Sequence, residues 1–236
     1  MKAGCKFHIG TSGWIYPHWQ GTFYPNDLPK NQWFQYYCSK FSTVEINATF
    51  YRAFKDSTYL NWYQKAPENF KYVIKAHRLI THRKYLHDVA HEIQQCWQSA
   101  NVLQEKLGLI LLQLPPKMPY DPDRLKQALL AFSEPQKIAV EFRNHKWLTP
   151  ETKNLLTELQ VAFCTSDAPG IDLIDWLTAK IGYIRLHSQN QDLPKIANLA
   201  KKMAKNGAKE IYIFFNNDFA GFAPKDAEEL ITSINN

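Results

Sequence analysis

KIAVEFRNHKW, residues 137–147, sets two charges into a run that otherwise reads as a buried strand. Ile138, Ala139, Val140 and Phe142 favour strand, and a strand sends residues two apart to the same face. Glu141 and Arg143 therefore point one way. A strand covered on both faces of a parallel sheet is apolar throughout, and an ionised side chain there is costly unless paired or put to use. The pattern recurs three times. TVEIN at 43–47 puts Glu45 and Asn47 on one face, YVIKAH at 72–77 does the same with Lys75 and His77, and YIRLH at 183–187 with Arg185 and His187. Four strand-like runs, each ending in a polar pair of period two, are the main signal in the chain.

Outward from these runs the chain alternates. Strands are expected at 7–10, 43–47, 70–77, 109–114, 137–143, 161–165, 181–187 and 210–215. Helices are expected at 31–40, 57–65, 82–106, 123–132, 150–159, 174–178, 193–206 and 224–234. LILLQL at 109–114, stopped by Pro115 and Pro116, ends as a central parallel strand does. Thr149 before Pro150 is a good N-cap. Eight strands and eight helices in strict alternation, with no linker or low-complexity tract, predict an α/β fold: a single TIM (β/α)8-type barrel over residues 1–236. The rival, an open doubly wound sheet, lacks a G-x-G-x-x-G after its first strand.

Composition fits a globular protein, with 45% hydrophobic and 21% charged residues, but 14% aromatic is more than a core alone asks for. Cys5, Cys38, Cys96 and Cys164 form no C-x-x-C, which excludes a zinc ribbon or dithiol motif. MKAGCKFHIG lacks a secretory profile and no run of about 18 apolar residues occurs, so a cytoplasmic protein with no membrane partner is expected. The net charge of +6 leans toward an anionic partner. Nucleic acid is not favoured, because Lys201, Lys202, Lys205 and Lys209 have the spacing of a solvated helix face.

In a TIM barrel the carboxyl ends of all strands meet at one mouth, where active sites are built. Glu45, Asn47, Lys75, His77, Gln113, Glu141, Arg143, Asp167, Arg185, His187, Asn216 and Asn217 all fall at such ends. Glu141 and His187 have the chemistry to carry protons, with Glu45 and Lys75 as further catalytic candidates. Arg143 and Arg185, with their planar forks, and Asn217 suit an anion. The loops after the seventh and eighth strands occupy the usual phosphate place of this fold, and Trp14, Tyr16, Trp19 and Trp147 offer a stacking wall. A divalent metal held by His77, His187, Glu45, Glu141 and Asp167 is less favoured, for no spacing signature supports it. His87, Asp88 and His91 spell H-D-x-x-H but fall on a helix outside the barrel, away from the mouth.

IGTSGWIYPHWQGTFYP at 9–25, VEINATFYR at 44–52, LLQLPP at 111–116, AVEFR with Trp147, YIRLH at 183–187 and FFNNDFAGFAP at 214–224 resemble the YecE-like family, domain of unknown function 72. The resemblance spans nearly the whole chain. It implies a TIM barrel and a shared mouth but no established reaction, and a barrel similar in shape to endonuclease IV-like and xylose isomerase-like enzymes. Two places depart from the family pattern: Ser188 stands where glycine is common, and NHKW follows Arg143 where a histidine and a serine are usual before the tryptophan. The expected function is acid/base chemistry on a small anionic, phosphorylated or sugar-like substrate. A metal-dependent repair enzyme of the endonuclease IV kind and a non-catalytic ligand-binding barrel are the alternatives.

Overall fold

The computed structural model describes residues 4–235. Eight strands, β1 (Lys6–Ser12), β2 (Thr43–Ile46), β3 (Lys71–Lys75), β4 (Leu107–Leu114), β5 (Ile138–Phe142), β6 (Ala162–Ser166), β7 (Ile181–Leu186) and β8 (Glu210–Phe215), pair in parallel and in chain order. β8 pairs back to β1, which closes the barrel. Around it lie α1 (Trp33–Lys40), α2 (Ala48–Tyr51), α3 (Asp56–Lys65), α4 (Ala90–Asn101), α5 (Pro122–Leu130), α6 (Pro150–Glu158), α7 (Leu193–Lys205) and α8 (Phe222–Asn235).

Two apolar compartments result from the alternation of the strands. Outward residues such as Val44, Ile74, Leu112, Val140, Ile184 and Ile213 pack beneath the helices, while Val73, Leu111, Ala139, Cys164, Tyr183 and Phe214 fill the barrel. A register shift opposite Gly108, between Tyr72 and Val73, puts Leu109, Leu111 and then Gln113 on the inward row. Two residues further along the inward rows come Lys75, Gln113, Glu141, Arg185 and Asn216. The filling of the barrel thus turns from apolar to ionic at one height, near the carboxyl ends.

The strict alternation of one helix per strand does not hold. Residues 82–106 are not one helix: a π-helical turn at Leu79–Arg83 is followed by left-handed backbone at Tyr85 (φ 48°), Leu86 (φ 63°) and Asp88 (φ 46°), and α4 starts only at Ala90. The buried positions Leu86, Val89, Ile93, Trp97 and Ala100 keep an apolar stripe across that break, so its periodicity hid it. The connection around 174–178 holds no helix either. Its backbone is tied to β6 by two threonines: the Ile174 amide donates to Thr165 Oγ1 (2.6 Å), and Thr178 Oγ1 accepts from the Phe163 amide (2.9 Å) while donating to the Val161 carbonyl (2.6 Å). Side chain to backbone bonds of this kind compete with a helical ladder. The β2–β3 connection instead holds two helices, α2 and α3.

Thr178→Val removes the hydroxyl that closes β6 and leaves the buried Phe163 amide unpaired, which costs about 1–3 kcal/mol. Urea unfolding checks this: the valine variant should lose that much and Thr178→Ser should retain wild-type stability.

Candidate functional site

Arg185, 1% exposed, sits between two fully buried carboxylates. Its Nε and Nη2 donate to Glu45 at 2.8 and 2.7 Å, a bidentate grip, and its Nη1 donates to Glu141 Oε2 at 2.8 Å. Glu45 also accepts from Ser12 Oγ (2.7 Å) and Tyr183 OH (2.5 Å), which leaves neither oxygen free. Gln113 donates to Glu141 Oε2 at 2.7 Å and accepts from Lys75 Nζ at 3.0 Å. Arg143 Nε forms an ion pair with Glu141 Oε1 at 2.6 Å from the solvent side. Strand register explains the network, since Ser12 lies opposite Glu45, Gln113 opposite Glu141 and Ser166 opposite Arg185.

Burial alone would push the Glu141 carboxyl up, but the Arg185 guanidinium first, and Arg143 beside it, hold it well below the usual carboxylate range. Glu45 is likewise raised by burial and brought down by Arg185, Tyr183 and Ser12. A depressed carboxylate contributes stability above its ordinary value near 4.5 and loses it as pH falls through the folded value. Both glutamates are therefore anions at neutral pH that neutralise Arg185 from within.

Above this layer the mouth opens as a cavity of about 390 Å³ lined by Asn47, Tyr51, Lys75, His82, Gln113, Pro116, Arg143, Arg185, His187 and Asn216. His187 Nε2 lies 2.9 Å from Arg143 Nη2 and 3.4 Å from Arg185 Nη1. A guanidinium only donates, so Nε2 is the accepting nitrogen and the ring proton sits on Nδ1. Asn216 Nδ2 lies 3.0 Å from Nδ1, and a half-turn of that amide would present its oxygen to the ring proton.

Residues 8–236 match the family described as Protein of unknown function DUF72. The chain belongs to the DUF72 family. It is similar to the UPF0759 protein YunF of Bacillus subtilis, 28% identical over 153 residues that make up 61% of this chain and span about half (52%) of that relative. A crystal structure of a DUF72 family protein from Thermotoga maritima superposes with a TM-score of 0.88 at 23% identity, over 98% of this chain and all (100%) of that one. One from Enterococcus faecalis gives 0.84 at 19% identity, covering 98% and 96%. At these identities the two structures show a shared fold.

Not every expected residue of this DUF72 chain reaches the mouth. The aromatic wall is absent from it. Trp147 is buried against Phe142 (5.2 Å between centroids), Trp14 packs on Phe34, and Tyr16 lies over buried Trp19 and donates to the Ser12 carbonyl. Asn217 turns to Asp226 (2.7 Å), and Asp167 accepts from the His187 and Ser188 amides and from Gln191, which shapes the β7 loop. His77 accepts from the Leu79 amide and lines a separate cavity of about 440 Å³ beside α3 and α4. The loops after β7 and β8 hold Asp192 and Asp218 with no lysine or arginine, which does not suit the phosphate place expected of them. The five metal candidates do not converge, and among the described residues no group of three His, Cys, Asp or Glu could hold a metal ion. His87 and Asp88 lie in the irregular turn before α4, so the H-D-x-x-H spacing does not sit on one helix.

Tyr51, His82, Pro116, Ser12 and Tyr183 belong to the site and were missed. Ser12 and Tyr183 lie on inward rows and were findable by parity. Tyr51 and His82 depend on the short helix α2 and the π turn, for which the sequence carries no period. Burial pushes the His82 imidazole down, with Lys75 and Arg143 adding to it.

Lys75 is 8% exposed, and burial together with Arg185 lowers its ammonium from 10.5 to about 8 against the pull of Glu45 and Glu141. A lysine depressed in the folded state carries a cost below pH 8 that is relieved as pH rises toward 10.5. At about 1.4 kcal/mol per unit the cost is about 3 kcal/mol. Lys75→Met should therefore stabilise the protein by up to about 3 kcal/mol at pH 7, with the gain shrinking by pH 10. Denaturation at the two pH values checks it, and a variant less stable at both contradicts it.

Proposed function

We propose that the chain is an enzyme performing acid/base chemistry on a small anionic, phosphorylated or sugar-like molecule held at the mouth. One observation carries the reading: three of the ten lining residues, Lys75, Arg143 and Arg185, are cations and none is a carboxylate. The two glutamates beneath are consumed by guanidiniums, so the surface offered to a ligand is positive. Arg143, half-buried and engaged by Glu141 on one side, has the fork geometry to take an anion on the other. Arg185 presents only its edge, and its role is to hold the layer together.

Proton transfer falls to Lys75 and His187. An amine with a pKa of about 8 is neutral in a useful fraction near neutral pH, the condition an efficient general base meets. His187 lines the same cavity with its Nε2 against Arg143 Nη2, beside the guanidinium that takes the anion. Glu141 is too strongly ionised to exchange a proton at this pH. It charges and orients Arg143 and Arg185 instead. Cytoplasmic location remains part of this proposal; no helix among the described residues is long and apolar enough to cross a membrane.

Inorganic phosphate is the simplest probe. It should raise the melting temperature of the wild-type protein, and Arg143→Met should weaken its binding about tenfold or more, the worth of one charge-assisted hydrogen bond. Phosphate affinity should also fall as pH rises above 8, where Lys75 gives up its proton, and Lys75→Met should flatten that dependence. Phosphate binding unchanged in Arg143→Met would contradict the assignment.

A further inference from the structure

The charges of the loops around the mouth are sharply divided. The loops after β2, β3, β4 and β5 (47–55, 76–89, 115–121 and 143–149) carry Arg52, Lys55, Arg78, Arg83, Lys117 and Lys146, besides Lys84 and Arg143, against two aspartates, Asp88 and Asp121. The loops after β6, β7 and β8 (167–180, 187–192 and 216–221) carry five aspartates against one lysine, Lys180, which adjoins the first residue of β7 at the end of the strand away from the mouth. These four basic loops follow adjacent strands, which places their cations along one side of the opening as a crescent outside the residues that line it; Arg52 there stacks on Phe54 (4.4 Å) at the edge of the neighbouring cavity. None of the six named first makes a salt bridge among the described residues, whereas Lys84 is satisfied by Glu92 and Asp121 by Arg124. Arg52, Lys55, Arg83, Lys117 and Lys146 are exposed. Strands about 4.8 Å apart spread such a row over roughly 15 Å of rim before the loops splay outward. That is more than one small anion needs.

An aromatic ring stands at the inner edge of the crescent. Tyr51 is 63% exposed, lines the mouth, and has the Arg78 guanidinium 5.9 Å from its ring centroid. An exposed ring beside unpaired cations is the combination that holds single-stranded nucleic acid, the phosphates tracking the charges and a base stacking on the ring. A polyphosphate has nothing to place on an aromatic face, and the bases of a duplex are already stacked on one another.

We propose that the crescent formed by the β2–β5 loops binds a single-stranded polynucleotide, with a base against Tyr51 and a phosphate or terminal anion reaching Arg143 in the mouth. The inference rests on the reading of the mouth as an anion site and names the polymer to which that anion belongs. The acidic loops on the far side fix direction by repelling a strand that would cross the opening.

Fluorescence anisotropy with a labelled fifteen-residue oligo-dT tests it on the full chain. Binding at low salt should weaken with a log–log salt slope of about −3 to −4, as expected for four to six neutralised phosphates. The triple reversal Arg52→Glu, Arg83→Glu and Lys117→Glu should lower affinity at least about tenfold while circular dichroism stays unchanged, and Tyr51→Ala should lower it about fivefold or more. Reversing Lys201, Lys202 and Lys205 on α7 should change nothing. The proposal is overturned if oligo-dT does not bind at 50 mM salt, if the α7 reversals weaken binding as much as the crescent ones, or if inorganic polyphosphate competes fully while Tyr51→Ala has no effect. A chain stabilised by phosphate that ignores oligo-dT loses only this inference. One that binds oligo-dT through the crescent but is indifferent to phosphate loses only the reading of the mouth.

Discussion

Arg185 is almost wholly buried, and the site is organised by how its charge is met. A guanidinium buried to 1% exposure is tolerable only if its donors are taken by carboxylates in good geometry, and here Glu45 takes two and Glu141 a third. Those carboxylates are themselves fully buried; Ser12, Tyr183 and Gln113 donate to them, and Arg143 adds a charge pair at Glu141 Oε1, which accepts no hydrogen bond. One charge placed on β7 thus fixes side chains on β1, β2, β4 and β5. Because the partners lie on different strands, the layer also ties the closed sheet across its interior.

A consequence follows for the surface above. Two anions beneath balance Arg185 and attract Arg143, and both are held ionised at neutral pH, so neither is a ready proton carrier. The groups left facing the cavity are Lys75, Arg143, His82, His187 and neutral amides. Lys75 experiences the desolvation of this layer without a carboxylate of its own, which is why its ammonium is lowered while its arginine neighbour Arg185 is raised. Charge, proton exchange and cavity therefore coincide at one opening, fed by a rim whose basic half lies over β2–β5.

Much of this was legible in residue parity. The period-two pairs at Glu45/Asn47, Glu141/Arg143 and Arg185/His187 disclosed an ionic layer because a strand permits only two facings, and closure in chain order gathered them. Roles were harder to read. Parity places Asn217 and Asp167 near strand ends, but the side chain of Asn217 is captured by Asp226 on α8 and that of Asp167 by backbone amides of the β7 loop. The tryptophans looked like a stacking wall since an aromatic-rich loop at a strand end reads the same whether it packs or binds. The break after β3 was invisible because the apolar stripe continues through left-handed residues, and no sequence period reports a π turn. His82 reaches the mouth only because of that turn.

The direct test of the account is the charge state of the two buried glutamates. Carbon-13 NMR of the Glu side-chain carboxyls, assigned with Glu45→Gln and Glu141→Gln, follows their ionisation as pH is lowered. Both should remain anionic through the range near 4.5 where exposed glutamates titrate. A titration of either at or above pH 5 (about half a unit or more beyond the ordinary value) would mean that Arg185 is not held by two anions, and the positive mouth built on that layer would not stand.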